Sequence, residues 1–545
     1  MDSDRSARVI LFDIRQPQDA HWSSGAAPSI RPGEARSLTA DGVPDAPWAL
    51  IQVTDTGLQA TSHPMWRRSL VWANDGDGRF AVSQHLLDIV RWLPPDRREL
   101  RPDFALRWLT ATTSGDHTPY QHVHAIRPGT SLTVDREGWA RTHTWFGEDD
   151  LPSPTLRGPE AGRQYLAAFD SVVAAIIADQ DVLALRMSGG LDSTFVAAAV
   201  AVQGRDVHAF VHTPLVSGRL SLDRGWLADD WPYAQAVSAY LSPHVELHPV
   251  RPPLDGTSPL DWGESRFTAA GVPAFNSCNL AWMDLARDMA QQEGVRMILG
   301  GGMGNATFSD AHRAALAAAV SRRDMRSAAR IARAELHGSI ATSSLRAVAG
   351  KVRRGWRNRT LAVPGGRAVC PWLDDGADEA VRQWRGDVVD LSSWGRNRLV
   401  NGPPMLSDPG VGLPTVDPFA SVAVARAAAS IAPDEWIRGP APRGFARRLG
   451  KGRVPDSVRL RPTFGAQGID AWGHMQGSRQ DYLDEAEGIA DTQLGDIVDA
   501  ARFVRAVRSW PWGQQQGPIS GEVVSAERVL VLARFLRWHR SQLTA

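Results

Sequence analysis

The sequence predicts an α/β protein: a parallel sheet with helices on both faces, preceded by a β-rich segment. Three observations predict this class. From about residue 158 to 299, short apolar runs alternate with helical patterns, the signature of βαβ units and a parallel sheet. Two of these runs end in glycine-rich turns that open into further helical patterns, at 188–193 and 300–304. Before residue 148 the strand-like runs are short and separated by turn signals. The length of 545 residues fits two or three domains of about 150 residues each. The pattern divides the chain at 1–148 and 155–545.

Taken in order, strand-like runs fall at 8–12, 48–53, 69–73, 80–82 and 131–134, with turns at Asn74-Asp75-Gly76 and Arg127-Pro128-Gly129. A helix is expected near 104–110. The stretch Asp150-Leu151-Pro152-Ser153-Pro154 reads as a linker. An amphipathic helix is expected over 159–179, then a buried strand over 182–187, a glycine turn and a helix over 193–202. Strands at 207–212, 245–250 and 296–299 and helices at 231–241 and 281–292 complete the alternation. Residues 311–357 read as helical and basic, with arginine pairs at 322–323 and 353–354 that fit a solvated face. The remainder is helix-rich to Arg537. In sheets of this kind ligands bind at the carboxyl ends of the strands.

Composition excludes several classes. Sixty basic and sixty acidic residues give a formal charge of zero, so nothing global draws the chain to nucleic acid or an anionic membrane. Only Lys351 and Lys451 are lysines, so any step that needs a lysine has two candidates. Cys278 and Cys370 are too few for a disulfide framework and fit a reducing compartment. The N-terminus has no cationic segment leading into an apolar one, and no apolar stretch approaches the ~18 residues of a membrane span. The expectation is a soluble cytoplasmic protein. Twenty-one tryptophans against five tyrosines are read as core and surface filling, with a Trp-lined substrate groove as the alternative.

The most informative segment is Ser188-Gly189-Gly190-Leu191-Asp192-Ser193-Thr194, at the junction of a strand and a helix. Two glycines let the backbone adopt positive φ and approach a ligand closely. The amide groups of such a turn and the helix N-terminus form an anion cradle, and Ser188, Ser193 and Thr194 add hydroxyl donors. Asp192 has the wrong sign for a phosphate unless a divalent cation lies between them, so it implies Mg²⁺. With no lysine in the turn, this is not a Walker-type loop. The structural alternative is a tight left-handed turn with an Asp N-cap.

This segment resembles the Ser-Gly-Gly-x-Asp-Ser loop of the ATP pyrophosphatases, which cleave ATP to AMP and pyrophosphate. A second turn, Gly300-Gly301-Gly302-Met303-Gly304-Asn305, is similar to the second phosphate and metal loop of the class B asparagine synthetase family. Asp229-Asp230-Trp231 looks like that family's acidic-then-aromatic helix start. Asp417-Pro418-Phe419, Arg443, Arg447-Arg448, Val454-Pro455 and the run 459–468 look like its C-terminal pattern. The resemblance covers about 155–480 well and 55–148 weakly. It implies an ATP-pyrophosphatase-type parallel sheet and a degenerate glutamine-amidotransferase-like N-terminal domain. The implied cofactors are ATP and Mg²⁺. The implied nucleotide site is Ser188, Gly189, Gly190, Asp192, Ser193, Thr194, Gly301, Gly302 and Gly304, with Asp192 and Asn305 as metal ligands.

Three positions depart from the family. Its glutaminases use a cysteine at residue 2, where this chain has Asp2, so no glutamine hydrolysis is expected. Asn305 stands where the family carries aspartate, and a neutral oxygen holds a metal less tightly; Asp310 lies five residues on. Thr463 stands where the family carries its catalytic lysine, and Lys451 is out of place. Arg461, two residues from the gap, is the nearest replacement cation if its side chain and that of Thr463 share a face. Arg461 and Thr463 are thus the candidate catalytic positions. Smaller signals are His122-Val123-His124, read as surface or packing histidines, and the segment 276–282, read as a helix cap with substrate contact as the alternative.

The function that the resemblance implies is ATP-dependent amide-bond formation through an acyl-adenylate, with release of AMP and pyrophosphate. With the glutaminase chemistry missing, the amine is expected from the substrate itself or from free ammonia. Macrolactam closure of a ribosomal peptide, as in lasso-peptide cyclases, is the favoured case, with a precursor peptide and a protease as expected partners. A small-molecule amide or β-lactam synthetase, asparagine synthesis, and a non-catalytic nucleotide-binding relative remain open alternatives.

Overall fold

The computed structural model describes residues 10–13, 21–22, 49–54, 57–65, 70–111, 117–135, 138–215, 226–309, 316, 319–320, 323–337, 352, 360–361, 366–383, 389–390, 413–439, 442–465, 468–513 and 521–544. The N-terminal part is two antiparallel sheets. One contains β1 (Ile10–Asp13), β2 (His21–Trp22), β5 (Val71–Asn74), β6 (Arg79–Ser83) and β7 (Val123–Ala125), in the order β2-β1-β6-β5-β7. The other contains β3 (Ala49–Thr54), β4 (Gly57–Ser62), β8 (Thr130–Asp135) and β9 (Ala140–Thr144), in the order β3-β4-β8-β9. Leu58, Ala60, Leu132 and Val134 of the second sheet meet Phe80 and Val82 of the first, as alternation on half-buried strands requires. The other face of the first sheet packs on α1 (Leu86–Trp92) and reaches Ala270, Val272 and Leu543 far along the chain. The predicted helix near 104–110 is α2 (Phe104–Leu109).

After α3 (Gly158–Ile177) the chain builds a parallel sheet. Its strands are β10 (Ala184–Arg186), β11 (Val207–His212), β13 (Val245–Val250), β14 (Ile298–Leu299) and β17 (Thr415–Val416), in the order β13-β11-β10-β14-β17. A short strand, β12 (Trp226–Leu227), pairs in parallel with β18 (Phe464–Gly465), and β15 (Thr360–Leu361) pairs with β16 (Val389–Asp390). On one face of the main sheet, Leu185, Ala209, Val211 and Leu299 bury against α3 and α4 (Leu191–Val202). On the other, Ala184, Phe210, Val250 and Ile298 bury against Ala286 and Ala290 of α7 (Leu280–Gln292). Between these lie α5 (Trp231–Tyr240) and α6 (Pro259–Ala270). Helices therefore cover both faces, and both glycine turns lie at the carboxyl edge, after β10 and β14.

The sequence reading places His122-Val123-His124 on a strand, which is β7, and misses β4, β9, β17 and α6. Residues 140–144 are exposed throughout and carry no apolar alternation to detect. In α6 an interior glycine weakened the helical pattern. Gly263 is nonetheless required, since a Cβ there would lie 2.9 Å from Val531 on the C-terminal helix (Gly521–Gln542). The signal that could have found α6 is its capping box, in which the Ser258 amide donates to Asp261 Oδ2 at 2.8 Å. Of the basic stretch 311–357, residues Met325–His337 form a helix; Arg322, Arg353 and Arg354 lie outside the described residues. Among the described residues no helix is long and apolar enough to cross a membrane. Both cysteines are buried and unpaired with each other.

Candidate active site

The first loop is shaped by what packs behind it. Gly189 adopts φ +58°, and a Cβ there would come within 2.9 Å of the Asp230 carbonyl and of Tyr233 at the start of α5. Only glycine tolerates both the left-handed backbone and that approach. Gly190 then caps α4, and the Ser193 hydroxyl turns back to accept from the Ser188 amide at 3.2 Å. Asp192 sits in the first turn of α4 with its Oδ1 buried and without a hydrogen-bond partner. Burial pushes its carboxyl above the ordinary range, opposed by the Arg443 guanidinium and the Ser309 hydroxyl. A cation bound beside it would favour the ionised form. Thr194 turns into the core, where it is fully buried, so its hydroxyl is not presented to the cavity.

The second loop comes up against the first. A Cβ on Gly301 would lie 3.1 Å from the Ser193 amide nitrogen, and one on Gly304 would lie 2.7 Å from the Asp192 carboxylate. The glycines here serve close approach of the two loops. Asp417 clamps this arrangement: one oxygen accepts from the Met303 amide at 2.7 Å and the other from the Phe419 amide at 3.0 Å. Arg443 bridges the loops. Its Nη1 is 3.8 Å from Asp192 Oδ2, and its Nη2 donates to Asn305 Oδ1 at 3.1 Å. The guanidinium also lies over the Phe464 ring, 5.2 Å from the centroid. Asn305 thus sits beside Asp192 as expected, with its oxygen engaged by Arg443. Asp310 lies outside the described residues.

Arg461 is buried, and it is tied to the first loop. Its Nη2 pairs with Asp230 Oδ1 at 2.7 Å, its Nη1 donates to the Gly189 carbonyl at 3.3 Å, and its Nε donates to Thr463 Oγ1 at 3.1 Å. The guanidinium stacks over Tyr233 at 4.1 Å. The side chains of 461 and 463 do lie side by side. The charge of Arg461 is nevertheless balanced, because its partner is the largely buried carboxylate of Asp230. Burial raises the Asp230 pKa, and Arg461 opposes the shift. Lys451 is exposed and is not among the residues lining the cavity.

These pieces surround a cavity of about 780 Å³. Ser188, Gly190, Asp192, Ser193, Gly301, Gly302, Asn305, Arg461 and Thr463 line it; Gly189, Thr194 and Gly304 stand behind them. Arg186, Arg266, Arg287, Arg443, Arg447 and Arg461 line it against Asp192, Asp284 and Asp417. That balance of charge favours a polyanionic ligand. The lining also carries the apolar side chains Phe275, Leu280, Trp282 and Met283, beside Asn276 and Asn279. The segment 276–282 therefore faces the cavity, and neither asparagine caps a helix through its side chain. Trp282 is the tryptophan of this lining; the others described lie elsewhere, several in an aromatic cluster around Trp472, Trp510 and Trp512.

Residues 165–540 match the family model described as asparagine synthase. The chain belongs to the asparagine synthase family. A search of the curated proteins finds no match. Membership supports an ATP-dependent amide-bond-forming synthetase, a C–N ligase by class, and ATP as a substrate is consistent with the arginine-rich cavity. Within this synthase-family protein, sequence reasoning underrated Arg443, Asp230 and Asp417. All three enter the sequence reading only as parts of the family pattern, and no spacing rule shows that 192, 305 and 443 converge. The residues fit Mg²⁺ at one point: Asp192 Oδ1 is buried with no hydrogen-bond partner.

Proposed function

We propose that this chain is an AMP-forming amide synthetase that closes a macrolactam on a ribosomal peptide or a related natural product. ATP is a substrate: the acid's carboxylate attacks the α-phosphorus, pyrophosphate leaves, and an amine then displaces AMP from the acyl carbon. The observation that carries the reading is the pair of apposed glycine loops, with the orphan oxygen of Asp192 between them and Arg443 across both. The amides and hydroxyls of 188–193 cradle phosphate. Arg443 and Arg447, both on the cavity wall, balance negative charge that grows as pyrophosphate departs. Asp192 is the residue that would hold Mg²⁺. Bound there, the ion would screen phosphate charge and polarise the reacting phosphoryl group.

The substrate side favours a bulky acid. The apolar lining of Phe275, Leu280, Trp282 and Met283 suits an apolar side chain or a peptide segment rather than a small acid alone. The two cysteines of the chain are buried and lie in the 155–545 part of the sequence, outside residues 1–148. That supports an amine supplied by the substrate itself rather than by glutamine. The same reading calls for a precursor peptide and a protease that trims it. ATP–pyrophosphate exchange with Mg²⁺, run with a panel of peptides and small carboxylic acids, tests it. Peptide-dependent exchange, with a product lighter than the peptide by one water, is expected. Exchange with aspartate or small acids only would refute the peptide assignment, and no exchange with any acid would indicate a non-catalytic nucleotide binder.

A further inference from the structure

We propose that His208, Glu246 and His248, none of which lines the cavity, form a binding site for one divalent transition-metal ion of the zinc class on the strand pair β11 and β13. Among the described residues they are the group of His, Cys, Asp and Glu side chains whose donor atoms converge, all within 4.8 Å of one another. The convergence is set by strand register. In the parallel pair β11 and β13, His208 faces Glu246 and Phe210 faces His248. Side chains two apart on a strand share a face, so the three ligands stand on one side of two neighbouring strands.

The distances suit one ion. His208 Nδ1 lies 2.9 Å from His248 Nε2, and Glu246 approaches these nitrogens at 3.4 and 3.8 Å. Ligands about 2.1 Å from a tetrahedral ion are about 3.4 Å apart, so the three separations bracket the required value. Small rotations would equalise them. One ring is already held: His248 stacks on the fully buried Phe210, with centroids 4.9 Å apart. The Glu246 side chain is 68% exposed, against 26% for His208 and 19% for His248. The nitrogens are therefore sheltered, and the carboxylate side opens to water, which completes the coordination.

Two imidazoles and one carboxylate select a borderline ion such as Zn²⁺ over Mg²⁺ or Ca²⁺, which prefer all-oxygen shells. The site is separate from the nucleotide loops. His208 pairs beside Ala184, the first residue of β10, whereas the phosphate loop follows the last. β13 is the edge strand of the sheet, and the ion clips this edge to β11.

The test uses the full chain, stripped with chelator and titrated with Zn²⁺ by calorimetry, with Co²⁺ as a spectroscopic probe. One equivalent of Zn²⁺ should bind and raise the thermal midpoint. Bound Co²⁺ should show the visible absorption of a low-symmetry site. His248→Ala and Glu246→Gln should each weaken binding by at least about tenfold. Glu246→Gln changes an exposed side chain, so it tests the site even where His248→Ala folds poorly. His244→Ala, which alters the neighbouring imidazole paired with Asp206, should bind as wild type does. Absence of stoichiometric Zn²⁺ binding by the wild-type chain, or binding undiminished in Glu246→Gln, would overturn the assignment.

Discussion

Replacing Arg461 by methionine should damage both halves of the reaction together. The guanidinium holds Asp230, the Gly189 carbonyl and the Tyr233 face at once, and it is almost wholly buried. Removing one member of a buried ion pair costs about 3–5 kcal/mol, since the remaining charge is left without compensation. At roughly 2 °C per kcal/mol for a large domain, the thermal midpoint should fall by about 6–10 °C. Asp230→Asn leaves the guanidinium unbalanced and should cost a similar amount. The double variant removes both charges, so its loss should fall short of the sum of the single losses by at least about 2 kcal/mol. Because Arg461 anchors the backbone of the first glycine loop, which we propose cradles phosphate, ATP–pyrophosphate exchange and product formation should decline by the same factor. The assay pairs thermal midpoints for the three variants with the two rates. Wild-type exchange alongside lost product formation would refute this positioning role and return Arg461 to the place of the missing lysine. An unchanged midpoint would show that the pair does not hold the loop.

Asp192→Asn should lower ATP–pyrophosphate exchange by about 10²–10³, the scale of losing one preorganised electrostatic partner, with a far-UV spectrum like that of wild type; undiminished exchange would remove Asp192 from the site. Glu527 is buried against Ser277, whose hydroxyl donates to it at 3.1 Å, and burial pushes its carboxyl up to about 7 from 4.5. Between those values the folded chain binds the proton that the unfolded chain has lost, so stability should fall by about 3 kcal/mol as pH rises from about 4.5 to 7 and level off above. Denaturation midpoints across this range should show that slope in wild type and lose it in Glu527→Gln. Deleting residues 1–148 should give aggregated protein by size-exclusion chromatography, because Phe104 and Trp108 pack with Phe267 and Phe535, and α1 with Ala270 and Leu543; a monodisperse product would show the two parts to be independent. Purified protein should release no glutamate from glutamine, and steady release would show that the N-terminal domain retains a nucleophile.

Much is legible in the sequence alone. The alternation that gives β10, α4, β11, α5, β13 and α7 is local, since burial of each strand and one face of each helix leaves its period in the sequence. The glycine turns were legible for the same reason. Glycine at 189 is required by a positive φ, and Asp192 lies within one helical turn of it. The elements that went unseen carry weak local signals: β9 is wholly exposed, β17 has two residues, and α6 is interrupted by a glycine that serves packing against Val531.

The sequence by itself determined the fold class, the first glycine loop and the place of Asp192, because those rest on backbone propensity and residues a few positions apart. Only the tertiary structure decided the partners. It placed Arg443 against both Asp192 and Asn305, more than one hundred residues away, and tied Arg461 to Asp230 across a similar span. It also set His208 opposite Glu246 through strand register. A charge's role depends on which opposite charge it meets and how far water is excluded from both. Neither quantity is written in the spacing of residues along the chain.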